Sequence, residues 1–142
     1  MGITLSEAWE LSRADSGLAL VSTLRGDQTI QTSLVNTGII TRDRPLLAFV
    51  TYGPVKLANL RERPQITVAY RQGWKWAAVE GVAELAGPDD PWNDLDAEGL
   101  RLLLREIFTA AGGAHDNWDE YDRVMREQRR TAVLIDPQRV YN

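Results

Sequence analysis

The chain has 142 residues and a mass of 15.9 kDa, so we expect a single domain spanning 1–142. It contains no cysteine and only one histidine, which excludes disulfide scaffolds, thiolate metal sites and histidine-cluster metal sites, and no metal ligands are predicted. The net charge of -4 and the pI near 5.0 argue against nucleic-acid binding.

The beginning of the chain, MGITLSE, lacks the basic and apolar regions of a signal peptide. No apolar run reaches the roughly 20 residues that span a bilayer. We therefore expect a cytoplasmic protein with no membrane partner.

The first half of the chain is typical of a short helix followed by strands. Thr4 and Glu7 have capping-box spacing, which predicts a helix from Leu5 that buries Leu5, Ala8 and Trp9. Apolar runs bounded by turn residues then predict strands over 18–24, 29–36 and 46–52. Pro54 suits a first helical turn, and Pro64 disfavours continuation, so a helix is predicted over 55–61.

The second half adds strands over 65–70 and 76–86, with a bulge or bend at Gly81. Apolar residues at helical spacing predict a helix that ends at Gly112-Gly113, namely Leu100, Leu103, Leu104, Ile107, Phe108 and Ala111. A further helix is predicted with Asp116 as N-cap, and a final strand over 131–135. Six strands with helices inserted before the last predict an α+β fold built on a six-stranded barrel.

Side chains suited to covalent chemistry are scarce. His115 falls in a loop between two predicted helices, where a solvated or capping role is favoured over a catalytic one. No G-x-G-x-x-G or G-K-[ST] phosphate motif occurs. No catalytic residue is predicted, so for an enzyme the reactive atom would belong to a cofactor.

Positive charge is concentrated between residues 54 and 76, where five basic side chains face one acidic residue, Glu62. This pattern favours a small anionic ligand or, equally, a solvated surface. Lys56 and Asn59 share one face of the helix after Pro54, whose N-terminus favours phosphate. Thr51 and Tyr52 add hydroxyl groups nearby. Trp74 and Trp76 offer flat surfaces either for a ring system or for packing.

Five segments, in this order, resemble those of the split β-barrel flavin/deazaflavin oxidoreductases. They are 17–24 (GLALVSTL), 31–36 (QTSLVN), 56–64 (KLANLRERP), 73–81 (GWKWAAVEG) and 115–121 (HDNWDEY). The sequence is most similar to the branch that resembles pyridoxamine 5'-phosphate oxidase, notably the actinobacterial reductases that use coenzyme F420.

The resemblance implies an FMN-binding split barrel of six strands that forms a homodimer, with the cofactor in grooves at the subunit interface. Lys56 and Asn59 match residues that hold the cofactor phosphate, and Thr51 and Tyr52 match a strand end near the ribityl chain. The ring would lie along Ser33, Leu34, Val35 and Asn36. The partner subunit would contribute Trp74, Trp76 and Ala77.

The activity implied is hydride transfer from reduced coenzyme F420 to an electron-poor small molecule such as an enone, quinone or tetrapyrrole. An FMN-dependent oxidase or reductase on the same fold is one alternative. A protein that carries a flavin-type or haem-type ligand without turnover is another.

Overall fold

The computed structural model describes residues 2–142. Its helices are α1 (Leu5–Glu10), α2 (Pro54–Glu62), α3 (Ala97–Ala110) and α4 (Trp118–Glu127). Its strands are β1 (Leu18–Leu24), β2 (Ile30–Asn36), β3 (Gly38–Thr41), β4 (Pro45–Thr51), β5 (Gln65–Gln72), β6 (Lys75–Ala86) and β7 (Thr131–Tyr141). No helix within residues 2–142 is long and apolar enough to cross a membrane.

The strands form one antiparallel sheet in the order β2-β1-β5-β6-β7-β4-β3. The edge strands β2 and β3 are consecutive in the chain, with only Thr37 between them. The sheet must therefore curl until its edges approach each other, which produces a barrel that is split between β2 and β3.

Thr37 fixes this junction from inside the barrel. Its hydroxyl donates to the Gly17 carbonyl at 2.8 Å and lies 2.6 Å from the Tyr70 hydroxyl. Burial raises the pKa of Tyr70, so that hydroxyl remains protonated and can donate to Thr37. The indole of Trp9 donates to the Thr37 carbonyl at 2.8 Å, which ties α1 to the same point.

Two apolar clusters lie on opposite sides of β4 and β7. One fills the barrel and includes Val21, Phe49, Val68, Val79 and Ile135, all completely buried. The other lies beneath α3 and includes Ile40, Leu46, Leu104, Ile107 and Leu134. Because alternate residues of β4 enter different clusters, that strand is apolar nearly throughout, as expected of a strand covered on both faces.

Several local predictions are confirmed. Thr4 and Glu7 form the reciprocal hydrogen bonds of a capping box at the start of α1. The register of β6 with β7 shifts at Glu80/Gly81, where Gln138 is the extra residue on β7. A Cβ on Gly81 would lie 2.3 Å from the Asp136 carbonyl oxygen, so the close approach of the two strands requires glycine.

Three predictions need correction. The sheet has seven strands and not six, because the four-residue strand β3 follows β2 after Thr37 alone and was not predicted from the sequence. Strand β7 does not end at Asp136-Pro137 but continues to Tyr141, since the bulge at Gln138 accommodates a proline that lacks a donor. The N-cap of α4 is Asn117 and not Asp116, and its side chain accepts from the Glu120 amide.

Helices α3 and α4 are joined by an ion-pair network around Asp122. Arg105 donates to this carboxylate through Nε at 2.9 Å, and Arg101 donates through Nη1 at 3.0 Å. Arg101 also pairs with Glu98 on α3. The Asp122 side chain is only 10% exposed, and its hydrogen bonds with Arg105 and Arg101 lower its pKa.

We predict that Asp122→Asn lowers the free energy of unfolding by about 1 kcal/mol at neutral pH, because charged hydrogen bonds are lost. Since folding lowers the pKa of this carboxyl, its contribution is present above the unfolded pKa and is lost as pH falls through the folded pKa. Urea unfolding at pH 7 and in acid checks this. Asp94→Asn, an exposed control, should change little at either pH, and an equal loss in both variants would contradict the assignment.

Candidate functional site

Strand β2 contributes four of the predicted site residues at the edge of the sheet. It pairs only with β1, so the backbone groups along its other edge have no strand partner. Side chains alternate along the strand: Ser33 and Val35 share one face, and Leu34 and Asn36 share the other. The four side chains cannot all contact one ring, but the free backbone edge of the strand can lie along it.

Lys56 lies at the start of α2 with only 6% of its surface exposed. Its ammonium group donates to Ser33 Oγ at 2.8 Å. A Cβ on Gly53 would lie 3.4 Å from Lys56 Nζ and 3.5 Å from Thr51 Oγ1, so both groups line the turn at Gly53. The structure therefore brings together Ser33, Thr51 and Lys56 from three separate elements, which we call the lysine cluster.

The electrostatic character of the lysine cluster is that of an anion site. No salt bridge within residues 2–142 involves Lys56, and burial alone lowers its pKa. Gly53 supplies no side-chain cap to α2, which leaves the backbone amides of Val55 and Lys56 without a capping partner. An ammonium, two hydroxyls and the positive end of a helix dipole are a donor set suited to phosphate.

Asn59 lies one turn further along α2 and is equally buried. Its amide donates to Thr23 Oγ1 at 3.0 Å, and the Thr23 hydroxyl in turn donates to Gln31 at 3.2 Å. The side-chain amide of Asn59 thus holds α2 against β1 and β2. By this contact it positions the lysine cluster.

Tyr52 follows the end of β4 and is half exposed. The guanidinium of Arg130 lies over its ring, with Cζ 3.9 Å from the ring centroid. Arg130 was not predicted as a site residue, because positive charge in the sequence is concentrated between residues 54 and 76. The signal that was available is the pair Arg129-Arg130, which directly precedes β7.

The remaining basic side chains of the 54–76 stretch do not join the lysine cluster. Arg61 pairs with Asp90 on the loop after β6, with Nη2 and Oδ2 2.7 Å apart. Arg63 donates to the Leu24 carbonyl, and Arg71 donates to the Gly73 carbonyl in its own hairpin. The predicted positive stretch is therefore a set of separate contacts, of which only Lys56 is buried without an acidic partner.

The β5–β6 hairpin carries the three site residues assigned to a partner subunit. Trp74 is completely exposed at its tip, and half-exposed Trp76 packs edge-on against Tyr141, with ring centroids 6.3 Å apart. Neither tryptophan hydrogen-bonds with the lysine cluster. Ala77 is completely buried in the barrel, so in the single chain neither its side chain nor its backbone is exposed to a ligand.

The outer face of the sheet carries an apolar row, which we call the outer row; it is exposed at Leu34, Leu20 and Ala69 and buried at Ala78. Its residues are directly paired across five strands, in the order Leu34, Leu20, Ala69, Ala78 and Tyr141. Leu34 is 61% exposed and Leu20 is 51% exposed. Two large exposed apolar side chains side by side on a sheet face are typical of protein interfaces.

A cavity of about 460 Å³ opens between α3, α4 and the ends of β2 and β4, and we call it the helical cavity. Asn36 lines it from β2, and Arg130 lines it from the segment before β7. His115 also lines it, from the α3–α4 loop as predicted, and its Nδ1 accepts from the Asn117 amide at 3.0 Å. The histidine ring packs beside Phe108 and Tyr121.

Comparison with known proteins shows where this architecture occurs. No protein-family model matches the sequence. A conserved hypothetical protein of Mycobacterium tuberculosis, Rv2991, superposes with a TM-score of 0.69 at 18% identity, over 98% of this chain and 83% of that one. A pyridoxamine 5'-phosphate oxidase-related, FMN-binding protein of Nostoc punctiforme gives a TM-score of 0.66 at 14% identity, over 99% and 84%.

A structure described as an F420 reductase gives a TM-score of 0.58 at 15% identity, over 87% of this chain and 89% of that one. The fold is that of the pyridoxamine 5'-phosphate oxidase-like split barrels. This confirms the α+β split barrel predicted from the sequence, with seven strands in place of six. Such structures include an FMN-binding protein and an F420 reductase.

Proposed function

We propose that the protein is a reductase that binds coenzyme F420 and passes a hydride to an electron-poor organic acceptor. The observation that carries this proposal is Lys56, a buried ammonium without an acidic partner. Burying a charge is costly unless an opposite charge meets it. A cofactor phosphate placed against Lys56 and Ser33 would supply that opposite charge.

The residues present fit such a cofactor. Lys56, Ser33, Thr51 and the amides at the start of α2 would hold its phosphate. The free edge of β2, over 33–36, would offer backbone donors and acceptors to its ring system. When bound in reduced form, the deazaflavin supplies a hydride at its C5 position.

The protein itself contributes binding, orientation and exclusion of water. The lysine cluster fixes the phosphate end, and Asn59 holds α2 in the position that this requires. Tyr52 lies between the lysine cluster and the helical cavity, with its ring held by Arg130. Its hydroxyl or solvent would supply the proton that the reduced acceptor takes up. Fixing donor and acceptor in contact is the main catalytic effect expected.

The test is a pair of fluorescence titrations with coenzyme F420 and FMN, followed by a turnover assay. We expect F420 to bind more tightly, and reduced F420 to be oxidised when a quinone (menadione) or an enone (2-cyclohexenone) is added, as followed by deazaflavin absorbance. Tight binding of FMN without binding of F420 would identify an FMN-dependent protein on the same fold. Binding of F420 without oxidation by either acceptor would indicate a ligand carrier.

The proposal includes a homodimer formed through the outer row. A single chain leaves the β2 edge without a strand partner, and it leaves Trp74 completely exposed. A second copy packed on the outer row would bury Leu20 and Leu34. It would also bring its own Trp74 and Trp76 toward the cofactor groove, which completes the site.

A further inference from the structure

The helical cavity borders two of the proposed cofactor residues. Asn36 lines it directly, and the Arg130 side chain that forms part of its wall rests on Tyr52. Its volume of about 460 Å³ is in the range of small-molecule sites. A molecule in this cavity would therefore lie next to residues of the proposed cofactor site.

One side of the cavity is lined by aromatic and apolar side chains. Phe108 and Tyr121 lie with ring centroids 5.0 Å apart, and the rings of His115 and Tyr121 lie 5.8 Å apart. Val124 and Met125 of α4 complete this side. Aromatic and methionine side chains of this kind pack well on a planar conjugated molecule.

Arg130 is the cationic group of the cavity, and it lacks an acidic partner. Its Nε donates to Gln128 Oε1 at 2.8 Å, and no salt bridge within residues 2–142 includes it. On helices α3 and α4, Arg101, Arg105 and Arg123 pair with carboxylates, whereas Arg126 pairs with no carboxylate among residues 2–142. Burial lowers the pKa of Arg130. The nearby Tyr52 and Tyr121 act in the opposite direction and raise it.

The single carboxylate that lines the cavity belongs to Glu120, which is exposed to solvent. Its charge is therefore screened by water, whereas the half-buried guanidinium lies against Tyr52. A guanidinium presents parallel donors that match a carboxylate. The cavity thus combines an aromatic, apolar side with one anion-binding group, the Arg130 guanidinium, which Tyr52 helps to orient.

We infer that the helical cavity is the acceptor site and that it selects a planar conjugated acceptor bearing a carboxylate, which Arg130 binds. The inference rests on the proposed function for the role of the bound molecule as acceptor. Its binding chemistry depends only on the cavity.

The test is calorimetric titration of the full chain with 2-naphthoate and with its neutral analogue 2-naphthamide. We expect the carboxylate to bind at least tenfold more tightly than the amide. Arg130→Gln should remove this preference by weakening naphthoate about tenfold or more, with little effect on the amide. Arg123→Gln removes the same charge from an exposed ion pair on α4 and should change neither affinity.

Two further measurements locate the site. Val124→Phe, which fills the cavity, should weaken both ligands while the far-UV circular dichroism spectrum and the melting temperature stay close to wild type. Saturating the protein with the cofactor should leave naphthoate binding in place. Equal affinity for the two ligands, an equal loss in Arg123→Gln, or displacement of naphthoate by the cofactor would each overturn the inference.

Titrating Arg130→Gln with coenzyme F420 and FMN separates this inference from the proposed function. If the variant loses cofactor affinity but retains naphthoate affinity, Arg130 serves an anionic group of the cofactor and the inference is wrong. If neither cofactor binds to the wild type while naphthoate selectivity depends on Arg130, the carboxylate site is supported and the proposed function fails.

Discussion

Replacing Lys56 with methionine is expected to weaken the binding of coenzyme F420 about thirtyfold and at the same time to stabilise the protein without cofactor. The loss of affinity follows from removing one charged contact with phosphate, which contributes on the order of 2 kcal/mol. FMN, which carries the same ribityl phosphate, should lose affinity by a similar factor. The measurements are fluorescence titration and urea unfolding of the cofactor-free protein.

The gain in stability has a separate physical cause. In the free protein the Lys56 ammonium is buried with Ser33 as its side-chain hydrogen-bond partner, and burial lowers its pKa. Methionine has a similar length and no charge to desolvate, so it should raise the free energy of unfolding by about 1 kcal/mol. If Lys56 serves a ligand, its replacement should lower cofactor affinity and raise the free energy of unfolding. If Lys56 had a purely structural role, its replacement would lower both.

The pH dependence supplies a third readout. Because folding lowers the pKa of Lys56, the unfolded chain binds more protons above the folded pKa. The stability of the wild type relative to Lys56→Met should therefore rise as the pH climbs through the folded pKa toward 10.5. Parallel stability curves for the two proteins across this range would contradict the buried ammonium.

Lys75, the other lysine of the chain, provides the matched control. It is exposed on the β5–β6 hairpin, so Lys75→Met should leave cofactor affinity and stability nearly unchanged. Raising the salt concentration should weaken the wild type more than Lys56→Met, which has already lost one charged contact. Similar small losses in both methionine variants would mean that Lys56 does not bind the phosphate.

Local patterns in the sequence were sufficient to predict most of the fold. The capping box at Thr4, the glycine at position 81 and the apolar repeat of α3 each depend on neighbours within a few residues, and each is present in the structure. Strand β3 was missed because it is only four residues long and pairs with β4 rather than with β2, which directly precedes it. At Thr37 the chain crosses from one edge of the sheet to the other. The pairing strand changes there from β1 to β4, and neighbouring residues do not predict this change.

The site residues also differ in this respect: some could be predicted from neighbouring residues, and others depend on the tertiary fold. Lys56 and Asn59 could be predicted as phosphate-binding residues because both lie on the helix after Pro54 and both match such residues in the family that the sequence resembles. The burial of Lys56 could not be predicted, since it depends on how α2 packs against β1 and β2. The position of Arg130 over Tyr52 joins residues 78 positions apart in the sequence. Such a contact arises only from the tertiary fold.

Leu20→Glu is expected to convert the protein from a dimer to a monomer and to weaken the dimer at least a hundredfold. Leu20 is central to the outer row, where it pairs with Leu34 on one side and Ala69 on the other. In a twofold dimer each interface would contain two such carboxylates, both removed from water without a partner. Desolvating unpaired charges in this way costs several kcal/mol. A hundredfold loss of dimer affinity corresponds to about 2.8 kcal/mol, so this cost is sufficient.

Light scattering is the measurement, and the wild type should give about twice 15.9 kDa. Leu102→Glu is a closely matched control, because Leu102 on α3 is 50% exposed, against 51% for Leu20, and lies away from the outer row. It should remain a dimer. Circular dichroism should show that both variants are folded, since each leucine is already half in water.

Cofactor affinity should fall together with the dimer in Leu20→Glu but not in Leu102→Glu, because the proposed groove depends on Trp74 and Trp76 of a second copy. A wild type that is monomeric and still binds cofactor tightly would contradict the shared groove. A Leu20→Glu variant that remains dimeric would place the interface elsewhere on the molecule. A monomeric variant with unchanged affinity would show that each chain forms a complete site, with the lysine cluster and the β2 edge sufficient for binding.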